Sequence, residues 1–273
     1  MKKVLLFLQR TMTVPEPLGC FHLVAIALML LFTVSVCVLF KNADEKTYRT
    51  VLLSIWGIMI TMEIIKQVSV SAVFAEDGTL TWHYRWSSFP LQLCDSPLYL
   101  LPIIAFLKDG KVRDALSSFT STYILLGGVS TYILISTTFC NVIYLNVQTL
   151  AHHGLQIVSS LFIAIRNRER TDDRSFLRAI GVFAVAVLIA TTFNVVMHYL
   201  VPDQVINMFF ISPFFKKEMP ILNEAWHALH WAPTILLYLV GVTIFALLVH
   251  LIYRKAFESA VLRRKAFMDI QKA

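Results

Sequence analysis

The sequence contains few charged residues. Asp, Glu, Lys and Arg make up 15% of its 273 residues, whereas an ordinary soluble domain contains about 25%. Apolar residues make up 57%, and the mean hydropathy is +0.68. One water-soluble core cannot bury this much apolar sequence. The composition therefore excludes an ordinary soluble protein and indicates a protein that lies in a membrane.

The sequence also lacks the short motifs of several enzyme classes. It has no Gly-rich phosphate or dinucleotide loop, no GxSxG elbow, and no CxxC or HExxH metal-binding spacing. His152, His153, His198 and Cys94 could in principle surround zinc, but adjacent histidines on one helix point in different directions. We therefore predict neither a bound metal nor a cofactor.

Seven apolar runs, each long enough to cross a hydrocarbon core of about 30 Å, are separated by polar breaks. They lie near residues 20–40, 50–74, 88–107, 115–137, 145–165, 177–200 and 226–253. The longest break, residues 201–225, is too short to form a soluble core. The pattern predicts an all-α polytopic membrane helix bundle of seven transmembrane helices, in which residues 1–273 form a single integral membrane domain.

The basic residues are distributed unequally between the two sides of this bundle. One side of the bundle contains 17 of the 24 Lys and Arg residues, and the other side contains six. The side with 17 consists of the C-terminal tail and the loops near residues 41–49, 108–113 and 166–178. The positive-inside rule then places the C-terminus in the cytoplasm and the N-terminus outside. Topology and anionic lipid headgroups account for the net charge of +7. We predict the lipid bilayer as a partner and no nucleic acid.

The run at residues 88–107 contains residues that are costly in a membrane helix. Cys94 lies between Gln92 and Asp95, and Pro97 has no backbone N–H to donate. The missing hydrogen bond opens a polar gap beside a residue type that can act as a nucleophile. This segment predicts a broken membrane helix that forms the floor of an active site.

Three further runs place polar residues at the depth of Cys94. An ion that faces lipid at the centre of a helix costs about 2.5 to 3.5 kcal/mol. These side chains should therefore turn inward and line one pocket. They are Glu63, Lys66, Gln67, His152, His153, Asn194 and His198.

Simpler roles remain open for several of these residues. Glu63 and Lys66 are three positions apart and can form a structural ion pair. Asn194 and His198 are four positions apart and can hydrogen-bond between helices. Each pair can therefore stabilise the bundle without contacting a substrate.

Cys94 needs a base if it is to attack an ester at neutral pH, because an unassisted thiol has a pKa of about 8.5. A nearby histidine can take the thiol proton and later return it to the leaving alcohol. A helix turns His152 and His153 about 100° apart, so only one of them should face the thiol. A disulfide between Cys94 and Cys140 is the structural alternative.

Residues 89–100, FPLQLCDSPLYL, resemble the proline, leucine and cysteine signature of the YwaF-like integral membrane proteins. This bacterial family is grouped with the animal transmembrane protein 164 acyltransferase. The resemblance extends over most of the chain from about residue 50. It includes EIIKQ at 63–67, AHHGLQIVSSL at 151–161, TTFNVVMHYL at 191–200 and INMFFISPFF at 206–215, followed by MP at 219–220.

This resemblance implies a multi-pass, lipid-modifying enzyme of the bacterial cell membrane. The cysteine of the family falls on Cys94 and its histidine on His153, whereas many members have a histidine at the position of Gln92. The implied reaction is transfer or hydrolysis of a lipid acyl chain through a thioester on Cys94, with His153 as the base. Membrane phospholipids or lysolipids would be the substrates, and Gln92, Asp95 and the other inward polar residues would shape the pocket.

A non-enzymatic transporter or receptor is the alternative class. Intramembrane Glu63, Lys66 and histidines also suit a proton-coupled carrier or a pocket that binds a small molecule. The two halves of the sequence do not repeat each other in motif or spacing, which argues against a duplicated transporter fold. A third class is a catalytically inactive relative that holds partners, for which Gln92 is the only sign.

Overall fold

The computed structural model describes residues 2–75, 77–215 and 222–272, and these residues are almost entirely helical. This confirms the all-α prediction. The helices are α1 (Lys2–Leu8), α2 (Cys20–Leu39), α3 (Glu45–Ser71), α4 (Pro97–Phe106), α5 (Lys111–Phe119), α6 (Leu125–Ile133), α7 (Ile143–Arg166), α8 (Asp173–Leu200), α9 (Leu222–Leu229) and α10 (Trp231–Lys272). One antiparallel hairpin pairs β1 (Ala72–Phe74) with β2 (Leu80–Trp82).

Four helices in the described part of the chain are long and apolar enough to cross a membrane. They are Cys20–Leu39, Glu45–Ser71, Asp173–Leu200 and Trp231–Ser259. Large apolar side chains cover their outer faces, as Leu31 and Leu188 illustrate, each 66% exposed. Water would disfavour such surfaces, whereas hydrocarbon solvates them. The chain is therefore a multi-pass membrane protein.

The other three predicted runs form helices of a different kind. The run at 88–107 produces only the ten-residue helix α4. The run at 115–137 becomes α5 and α6, which are joined without a break by a π-helical turn at Thr120–Ile124. The run at 145–165 becomes α7. Helices α4, α5 and α6 are short, and α7 contains many polar residues. Length and hydropathy therefore identify the other four runs as membrane spans, but not these three.

Helix α7 lies inside the bundle, where it packs against α2, α3 and α6. Asn146 and Gln156 on this helix are both 0% exposed. The Gln156 amide donates to the carbonyl of Ile124 at 2.6 Å, and the Asn146 amide bonds both to the N–H and to the carbonyl of Cys140. Because protein neighbours shield α7 from lipid, it can contain polar residues that would be costly on an outer helix.

Two of the predicted spans differ from the structure at their ends. The run at 50–74 stops being helical at Ser71 and continues as β1. The hairpin turn uses Gly78, whose φ of 79° suits glycine. The run at 226–253 is interrupted at His230, whose φ of 62° is left-handed and incompatible with a continuous helix. It is therefore divided between α9 and α10.

Ion pairs connect the helix ends on one side of the bundle. Arg113 donates to Glu45 at 2.6 Å and to Asp109 at 2.7 Å. Arg170 donates to the other oxygen of Asp109 at 2.7 Å. These contacts bring together the α2–α3, α4–α5 and α7–α8 connections. Most of the basic residues outside the C-terminal tail therefore lie at this end.

Asp109 should make the stability of the protein sensitive to acid. The hydrogen bond from Arg170 lowers the pKa of Asp109 to about 2, compared with about 3.9 in an unfolded chain. Because the folded pKa is the lower one, this stabilisation is complete above about pH 4 and is lost as the pH falls towards 2. Unfolding measured between pH 6 and pH 2 should show a smaller acid-induced loss in Asp109→Asn than in the wild type. An equal loss in both proteins would contradict this role.

Candidate active site

Cys94 lies in a tight turn immediately before a helix. Leu93–Asp95 form a 3-10 turn, and α4 begins at Pro97. Proline is favourable in the first turn of a helix, because the N–H that it lacks would have no acceptor there. Pro97 therefore starts a helix, whereas the sequence led us to expect a helix broken at this residue. The Asp95 carboxylate stabilises the turn by accepting the N–H of Gln92 at 2.8 Å.

His152 contacts this turn from α7. Its Nε2 lies 3.1 Å from the carbonyl oxygen of Cys94 and 3.8 Å from Oδ1 of Asp95. Because a carbonyl can only accept, Nε2 must carry the proton and donate it. The imidazole is 2% exposed, and its Nδ1 has no hydrogen-bond partner among the described residues. His152 thus ties α7 to the backbone of the candidate nucleophile.

His153 is oriented differently. Its Nδ1 lies 2.7 Å from the carbonyl of Thr149, one turn earlier on α7. Nδ1 is therefore the protonated nitrogen, and Nε2 of the neutral ring keeps a free lone pair. The two imidazole rings are 5.6 Å apart and inclined at 67°, so the adjacent histidines point in different directions. In this tautomer His153 can act as a proton acceptor.

Helix α3 contributes a buried ion pair beside the turn. Lys66 Nζ lies 2.8 Å from Oε2 of Glu63, and the Gln67 amide donates to Oε1 of the same carboxylate at 2.7 Å. Lys66 also interacts electrostatically with Asp95 and with the Cys94 thiol. The structure therefore contains the ion pair that the i, i+3 spacing allowed, and this pair belongs to the surroundings of Cys94.

The charges in this cluster do not cancel. Glu63 is 2% exposed and Asp95 is 6% exposed, and Lys66 is the formal cation that interacts with both of them. With both carboxyl groups ionised, two carboxylates and one ammonium leave an excess of negative charge, which a proton on one carboxyl group or on a histidine would remove. Buried ionic groups of this kind are expensive in a membrane protein and are commonly functional.

Gln92 and Asn194 bind the backbone of the α8–α9 connection. The Gln92 side chain donates to the carbonyl of Asn207 at 3.1 Å and accepts the N–H of Phe209 at 2.7 Å. The Asn194 side chain bonds in the same reciprocal way to Met208, at 3.0 and 2.7 Å. Phe209 and the residue after it have φ values of 56° and 58°, which are unfavourable for side chains branched at Cβ or bulky. The two amides therefore hold a strained loop against the Cys94 turn.

The remaining predicted residues have other surroundings. His198, near the end of α8, stacks on Phe214 with ring centroids 3.7 Å apart. Cys94 and Cys140 are both free thiols, so the structure does not contain the disulfide that was the alternative for Cys94. Cys140 lies in the α6–α7 connection, where its thiol approaches the carbonyl of Val142 at 3.8 Å.

A comparison with protein families covers all of these residues. The model of the TMEM164 family matches residues 17–253. The chain belongs to the TMEM164 family. No curated protein and no solved structure matches it. The resemblance to YwaF-like proteins fits this membership.

In this TMEM164 family member, α10 adds one residue that the sequence analysis missed. Tyr238 packs against the same buried hydrophobic cluster as Leu93, the residue before Cys94. The tyrosine lies in the middle of an apolar run, and His230 is the only other ionisable residue within ten positions on either side. No local signal marks it, and only the packing of α10 against the rest of the bundle places it at the site.

Proposed function

We propose that this TMEM164 family member is a membrane lipid acyltransferase or acyl hydrolase that acts through a thioester on Cys94. The observation that carries the proposal is the 3.1 Å contact between His152 and the Cys94 carbonyl. It brings a thiol, a pair of histidines and the charges of α3 together in a protein with membrane-spanning helices. A thiol with a neighbouring base is the usual arrangement for covalent acyl transfer.

His153 is the proposed base. Because Thr149 accepts the Nδ1 proton of this ring, Nε2 can take the proton of the Cys94 thiol as the sulfur bonds to the acyl carbon. The ester C–O bond then breaks, and the proton passes from Nε2 to the oxygen of the leaving alcohol. A hydroxyl of an acceptor lipid, or water, next attacks the thioester and gives its proton to Nε2. The C–S bond breaks, and the same proton restores the thiol.

His152 has a positioning role in this proposal. Its N–H holds the carbonyl of Cys94, so it orients the turn without taking the thiol proton. The substrate headgroup would lie among polar side chains, which are those of Glu63, Lys66, Gln67 and Asp95. Gln92 and Asn194 hold the neighbouring loop against the Cys94 turn.

Phospholipids and lysolipids are the proposed substrates. Such molecules would enter from the bilayer between helices, so transfer to an acceptor lipid would not require an opening to water, whereas hydrolysis would. We propose that the segment 88–107, which contains the Cys94 turn and α4, crosses the membrane together with the α5–α6 unit and α7, which gives seven spans. The N-terminus would be outside and the C-terminus in the cytoplasm, because the basic loops lie at one end of the bundle.

Labelling by an acyl-donor phospholipid should distinguish the two histidines. His153→Gln should slow the acylation of Cys94 by about 10² to 10⁴-fold, the usual contribution of a general base. His152→Gln keeps an N–H that can reach the Cys94 carbonyl and should have a smaller effect. The rate is measured by intact-protein mass spectrometry in detergent-solubilised protein.

The labelling rates of the two variants show which histidine takes the thiol proton. If His152→Gln abolishes labelling and His153→Gln retains it, His152 is the base and the proposed roles are exchanged. If both variants are labelled at the rate of the wild type, neither histidine takes the thiol proton. Competition by unlabelled phospholipid should reduce labelling in every active variant.

A further inference from the structure

A polar cavity lies at the end of the bundle that contains the Arg170–Asp109 ion pair. It is enclosed by α5, the α7–α8 connection, the start of α8 and α10. The ion pair between Arg170 and Asp114, with a distance of 3.2 Å, lies at its rim. The lining includes Ser117, Ser175 and His250, none of which takes part in the proposed reaction at Cys94.

Three polar atoms that line this cavity lack a hydrogen-bond partner among the described residues. They are Ser117 Oγ, His250 Nε2 and the Tyr253 hydroxyl. Ser117 and His250 are each 2% exposed, so bulk water does not reach them. Leaving a buried polar group unpaired costs about 1 to 3 kcal/mol. Three such groups around one space point to an occupant that bonds to all of them.

Three other hydroxyls of the cavity, those of Ser121, Thr171 and Ser175, are already paired. Ser121 donates to the carbonyl of Ser118, and Ser175 donates to the carbonyl of Asp172. Ser121 belongs to the π-helical turn Thr120–Ile124, which therefore forms part of the cavity wall. The unpaired atoms are therefore a specific subset of the lining, and they come from two helices, α5 and α10.

Volume and charge restrict what can bind. The space open to an occupant measures about 20 Å³, enough for a water molecule and too small for a lipid headgroup. Arg170 and Asp114 neutralise each other at the rim, so the site favours a neutral molecule. A molecule that both donates and accepts hydrogen bonds suits this lining in either tautomer of His250, because the two hydroxyls can act as donor or acceptor.

We propose that one ordered water molecule occupies this cavity and bridges Ser117 on α5 to His250 and Tyr253 on α10. Three bonds are the usual number for a buried water. The water joins the long C-terminal helix to the bundle at the end opposite the Cys94 turn. This inference does not depend on the proposed acyl transfer.

A double-mutant cycle tests the bridge. Ser117→Ala and Tyr253→Phe each remove one hydroxyl and should each lower the melting temperature of the full chain in detergent by about 2 to 4 °C. If a shared water connects the two groups, the double variant should lose clearly less than the sum of the single losses. Additive losses would overturn the proposal.

Tyr48→Phe is the matched control, because the Tyr48 hydroxyl on α3 lies near Ser117 and likewise makes no hydrogen bond of ordinary geometry among the described residues. Coupling between Ser117 and Tyr48 without coupling between Ser117 and Tyr253 would assign Ser117 to a direct contact and would also overturn the proposal. A density map of the whole protein at about 2 Å resolution should show one spherical peak within hydrogen-bond distance of all three atoms. An empty cavity or a larger density would exclude the bridging water.

Discussion

Cys94→Ala should abolish the acyl adduct and lower lipid turnover by about 10⁴-fold or more, because nothing replaces the sulfur in a covalent mechanism. The adduct is measured by intact-protein mass spectrometry after incubation with phospholipid, and turnover is measured in proteoliposomes. Cys140→Ala is the matched control, since it removes another partly buried free thiol. It should retain both the adduct and the turnover.

The outcome also separates the two classes of function that the sequence allowed. Turnover that survives in Cys94→Ala would exclude a thioester intermediate. Uptake of a small ligand into vesicles that survives in the same variant, with no adduct on the wild type, would identify a carrier or receptor pocket. An adduct on wild-type Cys94 that is lost only in Cys94→Ala supports the enzyme.

Lys66→Met should destabilise the protein by about 3 to 5 kcal/mol, the usual cost of removing one partner from a buried ion pair. It leaves Glu63, which is 2% exposed, and Asp95, which is 6% exposed, without their shared cation. Glu63→Gln combined with Lys66→Met should recover part of this loss, because it also removes one buried negative charge. The measurement is the free energy of unfolding in detergent at neutral pH.

Lys46→Met provides the control for this pair of variants. Lys46 is an exposed lysine on the same helix, and its replacement should change stability by less than about 0.5 kcal/mol. If Lys66→Met costs no more than Lys46→Met, the ammonium of Lys66 does not compensate the buried acids. A double variant less stable than Lys66→Met alone would show that Glu63 stabilises the cluster without its lysine.

The positions of the membrane helices could be predicted because hydrophobic length is a local property. The run at 20–40 corresponds to Cys20–Leu39, and the run at 177–200 lies within Asp173–Leu200. The short helix α4, the π turn at Thr120–Ile124 and the hairpin after Ser71 were not predicted. Each depends on hydrogen bonds and packing that a window of apolar residues does not encode.

The candidate site could be predicted only in outline. Depth in the bilayer indicated that Glu63, Lys66, Asp95 and His152 would lie in one layer, and the structure brings these four into contact with one another or with the Cys94 turn. The partners of Gln92 could not be predicted. They lie 115 and 117 residues further along the chain, and pairing over such a separation depends on the whole bundle.

The sequence by itself determined that this is a multi-pass helical membrane protein with a cysteine beside a proline, because composition and hydrophobic length act within a single helix. Only the tertiary structure decided that Pro97 begins a helix, that His152 contacts the carbonyl of Cys94, and that Tyr238 packs beside the Cys94 turn. These relations depend on how helices rotate and pack against each other. Contacts between segments that are far apart in the sequence determine how each helix is rotated. No single stretch of sequence therefore predicts the rotation.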